Sequence, residues 1–193
     1  GFYDVLSVQD PTKTYVVNGL VGLSPQEQEI SGIGDQVLRS GKFGSANARW
    51  FREGDQYLCL LPQTIAEALG VTGRDVGRAQ VELYGMKFTV LGVVPDKALD
   101  GIRDLDHETM TPVDYAQLKP EVLEELKRQR QQKFKLGKTG EESLLQEYTH
   151  FQASNVIVVP YQQAMNMYGT LRSISLKLRK PADVQTTVQD LVE

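Results

Sequence analysis

The segment at residues 78–94 constrains the fold more than any other stretch, because it has the pattern of a β-hairpin. Apolar side chains occupy alternate positions in both halves of the segment, at Ala79, Val81, Leu83, Phe88, Val90 and Val94. Alternation with a period of two is typical of strands that bury one face. Pro95 lacks a backbone N–H donor and is expected to end the second strand.

The turn between the two halves sets the register of the hairpin. Gly85-Met86 has glycine first, which is typical of a two-residue type II′ turn. A turn at this position pairs Leu83 with Phe88 and places the apolar residues of both strands on one face. The sequence therefore predicts a hairpin at the centre of a sheet, with Leu83 and Phe88 as buried neighbours.

The rest of the chain predicts more strands and several short helices. Further strands are expected at residues 2–8, 13–22, 57–61, 155–159 and 171–178, and helices at 64–70, 119–135, 161–168 and from 181 onward. Glycines at the end of the 13–22 strand indicate a bulge or a close approach of backbones. Residues 31–56 are rich in Gly, Ser, Asn and Asp, so we interpret them as irregular chain anchored by a buried Trp50-Phe51 pair.

These elements together predict an α+β fold. We expect a mixed or antiparallel sheet with a central β-hairpin and short helices, followed by a C-terminal βαβα unit. The chain has 193 residues, enough for one domain or two small ones. Its formal net charge of −4 argues against a nucleic-acid partner. No apolar run reaches the ~20 residues that a membrane-spanning helix needs.

Few residues suggest reactive chemistry. Cys59, the single cysteine, lies in the apolar run at 57–61 with no histidine near it in sequence, which favours a buried, inert thiol over a nucleophile. The acidic stretch at residues 96–110 contains Asp104, Asp106 and His107, but its spacing does not fit a calcium loop. We interpret it as a solvated loop. The prediction is therefore no catalytic residue, no metal ligand and no cofactor-binding residue.

A family resemblance rests on glycines and apolar positions in five stretches. They lie at residues 54–62, 65–70, 76–94, 156–161 and 173–178, and include Val81-Glu82-Leu83-Tyr84-Gly85-Met86. In these stretches the chain resembles the MacB-like periplasmic core domain of FtsX-like ABC transporter permeases. The family has a Gly-Arg pair before the aromatic residue near Trp50, where this chain has Ala48-Arg49. The strand and helix that the family carries after its first membrane segment are not found upstream of Phe2.

The resemblance implies a domain organisation. Residues 1–193 would form a single extracytoplasmic domain between two membrane helices of the permease. Residues 2–95 would be a sabre-like, β-rich part, residues 96–152 a charged helical insertion, and residues 153–193 a porter-like, membrane-proximal part.

The resemblance also implies a function without catalysis at the extracytoplasmic, periplasmic face of the cell membrane. Such a domain couples ATP-driven motion to the export or release of a substrate. Its partners would be the cognate ATP-binding subunit, acting through the membrane-embedded parent permease, and a periplasmic or outer-membrane protein or a second permease copy. Two alternatives stay open: a free-standing soluble module that binds a ligand or protein, and a hydrolase that uses Asp104, Asp106 and His107.

Overall fold

A computed structural model describes residues 3–103, 109–114, 150–167, 169 and 171. The chain divides into two compact units. The first unit is Gly1–Pro112 with Phe151–Ser175, and the second is Val113–His150 with Leu176–Glu193. In the second unit, Val113 and His150 form an isolated antiparallel bridge. All the elements described below belong to the first unit.

The first unit is an α+β structure, as the sequence predicted. Its strands are β1 (Tyr3–Ser7), β2 (Thr14–Val17), β3 (Gly19–Leu23), β4 (Leu58–Pro62), β5 (Gln80–Leu83), β6 (Met86–Val94) and β7 (Val156–Pro160). Its α-helices are α1 (Glu27–Ile30), α2 (Gln63–Ala68), α3 (Asp96–Gly101) and α4 (Tyr161–Asn166), and short 3-10 turns lie at Ile33–Gln36 and Ala153–Asn155. The helices predicted at 119–135 and from 181 onward, and the 171–178 strand beyond Leu171, lie outside the described residues.

One mixed sheet of seven strands organises this unit. Its strand order is β2-β1-β5-β6-β4-β7-β3. The pairs β4–β6 and β3–β7 are parallel, and the other four neighbouring pairs are antiparallel. β6 is the fourth strand of the seven, so the β5–β6 hairpin lies at the centre of the sheet.

The hairpin turn lies one residue earlier than predicted. Leu83 pairs with Met86, which leaves Tyr84 and Gly85 as the two loop residues. Their φ angles are 54° and 72°, and two positive φ angles define a type I′ turn rather than type II′. Shifting the turn by one residue changes the cross-strand partner of each residue by two positions. Because side chains alternate between faces with a period of two, every side chain stays on its expected face. Leu83 and Phe88 are both buried, as predicted, although they are not directly paired.

The segment predicted as one strand at 13–22 contributes to both ends of the sheet. Its first part, β2, pairs with β1, whereas its second part, β3, pairs with β7. Only Asn18 separates β2 from β3, and the chain from Val17 to Gly19 spans at most ~7 Å. The sheet therefore curls so that its two edge strands, β2 and β3, lie close together. At this junction the Asn18 N–H donates to the Asn155 carbonyl at 2.7 Å.

The curled sheet has two buried faces. One apolar cluster draws residues from β1 and β2 at one end of the strand order and from β7 near the other, so it fills the concave side: Val5, Val17, Cys59, Leu61, Val81, Leu83, Phe88, Val90, Ile157 and Val159. The opposite side of β3, β4, β6 and β7 packs against the irregular chain, including Trp50 and Phe51. These two aromatic rings lie 5.0 Å apart and are buried, which confirms the predicted anchor.

Two aspartates in the predicted acidic loop have structural roles instead. Residues 96–101 form α3, so the loop prediction was wrong for this part. Asp96 accepts hydrogen bonds from the Thr64 hydroxyl at 2.6 Å and the Thr64 N–H at 3.3 Å, which ties α3 to α2. Asp100 accepts a hydrogen bond from the Ala153 N–H at 2.7 Å, next to the start of β7.

Candidate contact surface and open clefts

The residues of the hydrolase alternative, Asp104, Asp106 and His107, lie outside the described residues. Within residues 3–103, 109–114, 150–167, 169 and 171, no group of three His, Cys, Asp or Glu side chains is placed to hold a metal ion. The same part of the chain contains no helix that is long and apolar enough to span a membrane. The predictions on catalysis, metals and cofactors stay predictions.

Cys59 is a buried core residue, as its sequence context predicted. It lies in β4 and is fully buried within the concave cluster. Burial raises the pKa of the Cys59 thiol above its ordinary value, because desolvation disfavours the thiolate. The thiol at this position packs as a small apolar side chain.

Strand direction brings four tyrosines to one end of the sheet. Tyr3 begins β1, Tyr84 follows β5, Tyr57 precedes β4, and Tyr161 follows β7. Because β1, β4 and β6 run one way and β5 and β7 run the other, these positions lie at the same end. Their exposed fractions are 36% for Tyr3, 51% for Tyr57, 47% for Tyr84 and 39% for Tyr161. We call this set the tyrosine end.

Two of these tyrosines have an unusual backbone. Tyr57 and Tyr84, with φ of 52° and 54°, are the two non-glycine residues with positive φ within the described ranges. Left-handed backbone is strained for a residue with a Cβ, and such strain is common at functional positions. The Tyr3 and Tyr84 ring centroids lie 4.5 Å apart, and the Tyr57 ring lies 6.3 Å from Phe88. The pKa of Tyr84 lies above its ordinary value, mainly because the hydroxyl is partly buried and secondly because of its hydrogen bond with Tyr3.

An ion pair holds the irregular chain that leads to Tyr57. The Arg49 guanidinium donates to both carboxylate oxygens of Asp55, at 2.7 Å and 3.2 Å, and also to the Trp50 carbonyl at 3.0 Å. Asp55 accepts a further hydrogen bond from the Arg52 N–H at 2.8 Å. Partial burial raises the pKa of Asp55, but the Arg49 and Arg52 contacts outweigh it, so the pKa lies below its ordinary value. These contacts fix the conformation of the 49–55 loop and so restrict the position of Tyr57, which follows it.

Two open clefts lie elsewhere on the first unit. One, of about 390 Å³, lies between the Ile33–Gln36 turn and α3, and its cationic side chains are Lys97 and Arg103. The other, of about 370 Å³, lies between two glycine-containing loops and is lined by Gly41, Lys42, Gly44, Thr72, Gly73 and Arg74. Sequence reasoning missed both clefts and the tyrosine end, because each one combines residues from distant parts of the chain.

The comparisons with known proteins add no relative to this description. No protein-family model, no curated protein and no solved structure matches the chain.

Proposed function

We propose that this chain is a non-catalytic extracytoplasmic domain of an FtsX-like ABC transporter permease, of the MacB-like periplasmic core type. In that role it would move with the ATP-driven parts of the transporter and contact a substrate or partner protein. One observation carries the proposal: stretches that resemble the family, although far apart in sequence, form neighbouring strands of one sheet.

The family-like stretches make up the middle of the strand order. Residues 58–62 form β4, residues 80–94 form the β5–β6 hairpin, and residues 156–160 form β7. They are consecutive in the order β5-β6-β4-β7, and Leu60 of β4 pairs with Val158 of β7. Stretches that resembled the family by chance would not be expected to form adjacent strands. Their adjacency therefore supports the proposal that this sheet corresponds to a structural unit of the family.

The tyrosine end is the surface that best fits a contact role. Tyrosine presents a large apolar ring with a polar hydroxyl, and it is enriched at protein interfaces. Tyr57 and Tyr84 are held by the fixed 49–55 loop and by the hairpin turn, so ordering them on binding costs little entropy. We therefore assign the protein contacts of the proposed domain to this end. A free-standing binding module, the second candidate, would use the same surface.

The position of the domain relative to the membrane decides between these two functions. Lys97 is exposed, whereas Cys59, the only native cysteine, is fully buried. A Lys97→Cys variant of the whole parent protein therefore introduces one accessible thiol. In intact cells stripped of any outer membrane, a membrane-impermeant maleimide should label this variant more than the native parent protein, because the two differ by this one accessible thiol.

Two results contradict the permease proposal. Labelling of Lys97→Cys only after cell lysis would place the domain in the cytoplasm. A parent gene without hydrophobic segments on either side of the chain would leave the free-standing module as the better account. A separate test of the contact surface compares Tyr57→Ser with Lys97→Ser, an exposed position in α3 beyond the opposite end of β6. The first variant should impair the function of the parent protein, and the second should not.

A further inference from the structure

The cleft between the 41–44 and 72–74 loops is built from main chain. The Gly73 N–H donates to the Lys42 carbonyl at 3.0 Å, which holds the two loops together. A Cβ on Gly73 would overlap the Gly44 carbonyl oxygen, and a Cβ on Gly44 would overlap the Ser40 backbone. Glycine is therefore required at both positions, because neighbouring main chain fills the space that a side chain would need.

Cationic side chains surround this cleft. Lys42 and Arg74 line it, and Arg78 lies beside it because its guanidinium donates to the Arg74 carbonyl at 2.6 Å. Two acidic groups lie nearby. Asp75 is already engaged by the Thr72 hydroxyl at 2.6 Å and the Thr72 N–H at 2.8 Å. Glu67 pairs with the Lys42 ammonium at 2.9 Å, and both side chains of this pair are about three-fifths exposed.

The Lys42–Glu67 pair does not prevent Lys42 from binding an anion. Exposed ion pairs contribute about 0–1 kcal/mol, because water screens them and two long side chains lose rotamer freedom. Lys42 can therefore exchange Glu67 for a more highly charged anion at little cost. An arginine fork binds two oxygens of such an anion, and a lysine ammonium supplies a point charge.

We propose that this cleft binds a phosphate group, with Lys42 and Arg74 as its cationic ligands. The volume of about 370 Å³ accommodates a phosphate together with part of the molecule that carries it. A soluble phosphate ester and an anionic phospholipid headgroup share this chemistry. The proposal does not depend on the proposed function, because either a permease domain or a free-standing module can hold such a cleft.

The test is a titration of the protein with inorganic phosphate, followed by the amide NMR signals of Gly44 and Gly73. Saturable shifts are expected in the native protein. Lys42→Gln and Arg74→Gln should each weaken binding about three- to tenfold. Glu67→Gln should strengthen it about two- to threefold, since it frees Lys42. Lys97→Gln is the matched control, because it changes the net charge equally at the other cleft.

Vesicles distinguish the two sources of the phosphate. Binding to phosphatidylglycerol vesicles that Arg74→Gln abolishes identifies a lipid headgroup, whereas shifts with inorganic phosphate alone identify a soluble ligand. The proposal is overturned if neither probe binds, or if Lys97→Gln weakens binding as much as Arg74→Gln does. Unchanged binding in Lys42→Gln also contradicts the arrangement, because it separates Lys42 from the site. The fluorescence of buried Trp50 verifies that each variant is folded.

Discussion

Substitution of Gly85 tests the type I′ turn directly. Gly85 has φ of 72°, and no heavy atom lies within 4 Å of the position that a Cβ would occupy. A side chain there meets no neighbour, so any loss of stability comes from the left-handed backbone. That conformation costs a residue with a Cβ about 1–2 kcal/mol. We expect Gly85→Ala to lose about 1 kcal/mol and Gly85→Val about 2 kcal/mol, because a β-branched side chain restricts the backbone further.

Urea unfolding measures these losses. Trp50, the only tryptophan, is 4% exposed and reports unfolding by fluorescence. With a slope of about 2 kcal/mol per molar urea, the midpoint should fall by about 0.5 M for Gly85→Ala and by about 1 M for Gly85→Val. Gly19→Val is the matched control. Gly19 also has open space around its Cβ position but an ordinary φ, and it lies in β3, where valine is favoured.

The order of the variants distinguishes the two turn types. Asparagine tolerates the left-handed region, so in a type I′ turn Gly85→Asn should lose less stability than Gly85→Ala. In the type II′ turn that the sequence suggested, glycine occupies the first loop position, where asparagine has no such advantage. Equal midpoints for Gly85→Val and Gly19→Val would refute the reasoning, since they would show that Gly85 does not need a positive φ.

Three further predictions concern the core, pH and metals. Phe88→Ala should lose about 4 kcal/mol in urea unfolding because it empties part of the concave cluster, and a loss below about 1 kcal/mol would contradict this packing. Asp75, whose pKa the Thr72 hydroxyl and N–H hold below 3.8, stabilises the fold above pH 3.8 and loses this effect as pH falls through the lower, folded-state value. Asp75→Asn should therefore show a shallower loss of urea stability below about pH 4 than the native protein, and an equally steep loss would contradict this assignment. Thermal melting should coincide with and without a chelator, whereas a lower melting temperature together with one bound ion in elemental analysis would establish a metal site.

Local patterns in the sequence were sufficient to locate the central elements. Alternating apolar residues predicted the β5–β6 hairpin, and continuous apolar runs predicted β4 and β7. Such patterns are reliable because a buried strand needs apolar side chains wherever it packs, whatever its neighbours are. The buried states of Cys59 and of the Trp50-Phe51 pair followed from the same reasoning.

The hairpin turn shows where local pattern stops being sufficient. Both Gly85-Met86 and Tyr84-Gly85 keep the apolar residues of the two strands on one face, so the alternation does not choose between them. Tyrosine is not a usual residue for a left-handed turn position, and the sequence therefore favoured the wrong turn. In the folded protein the Tyr84 ring packs 4.5 Å from the Tyr3 ring, a contact between residues 81 positions apart that no local pattern reveals.

The sequence by itself located β4, β7 and the β5–β6 hairpin and the burial of Cys59 and of Trp50-Phe51, because these depend on the pattern of neighbouring residues. Only the tertiary structure decided that the 13–22 segment divides at Asn18 to join both ends of the sheet. It also decided that Tyr3, Tyr57, Tyr84 and Tyr161 share one end, and that Lys42 and Arg74 face one cleft. The physical reason is common to all three. Strand order and direction arise from pairings between residues distant in sequence, and those pairings alone place exposed residues next to each other.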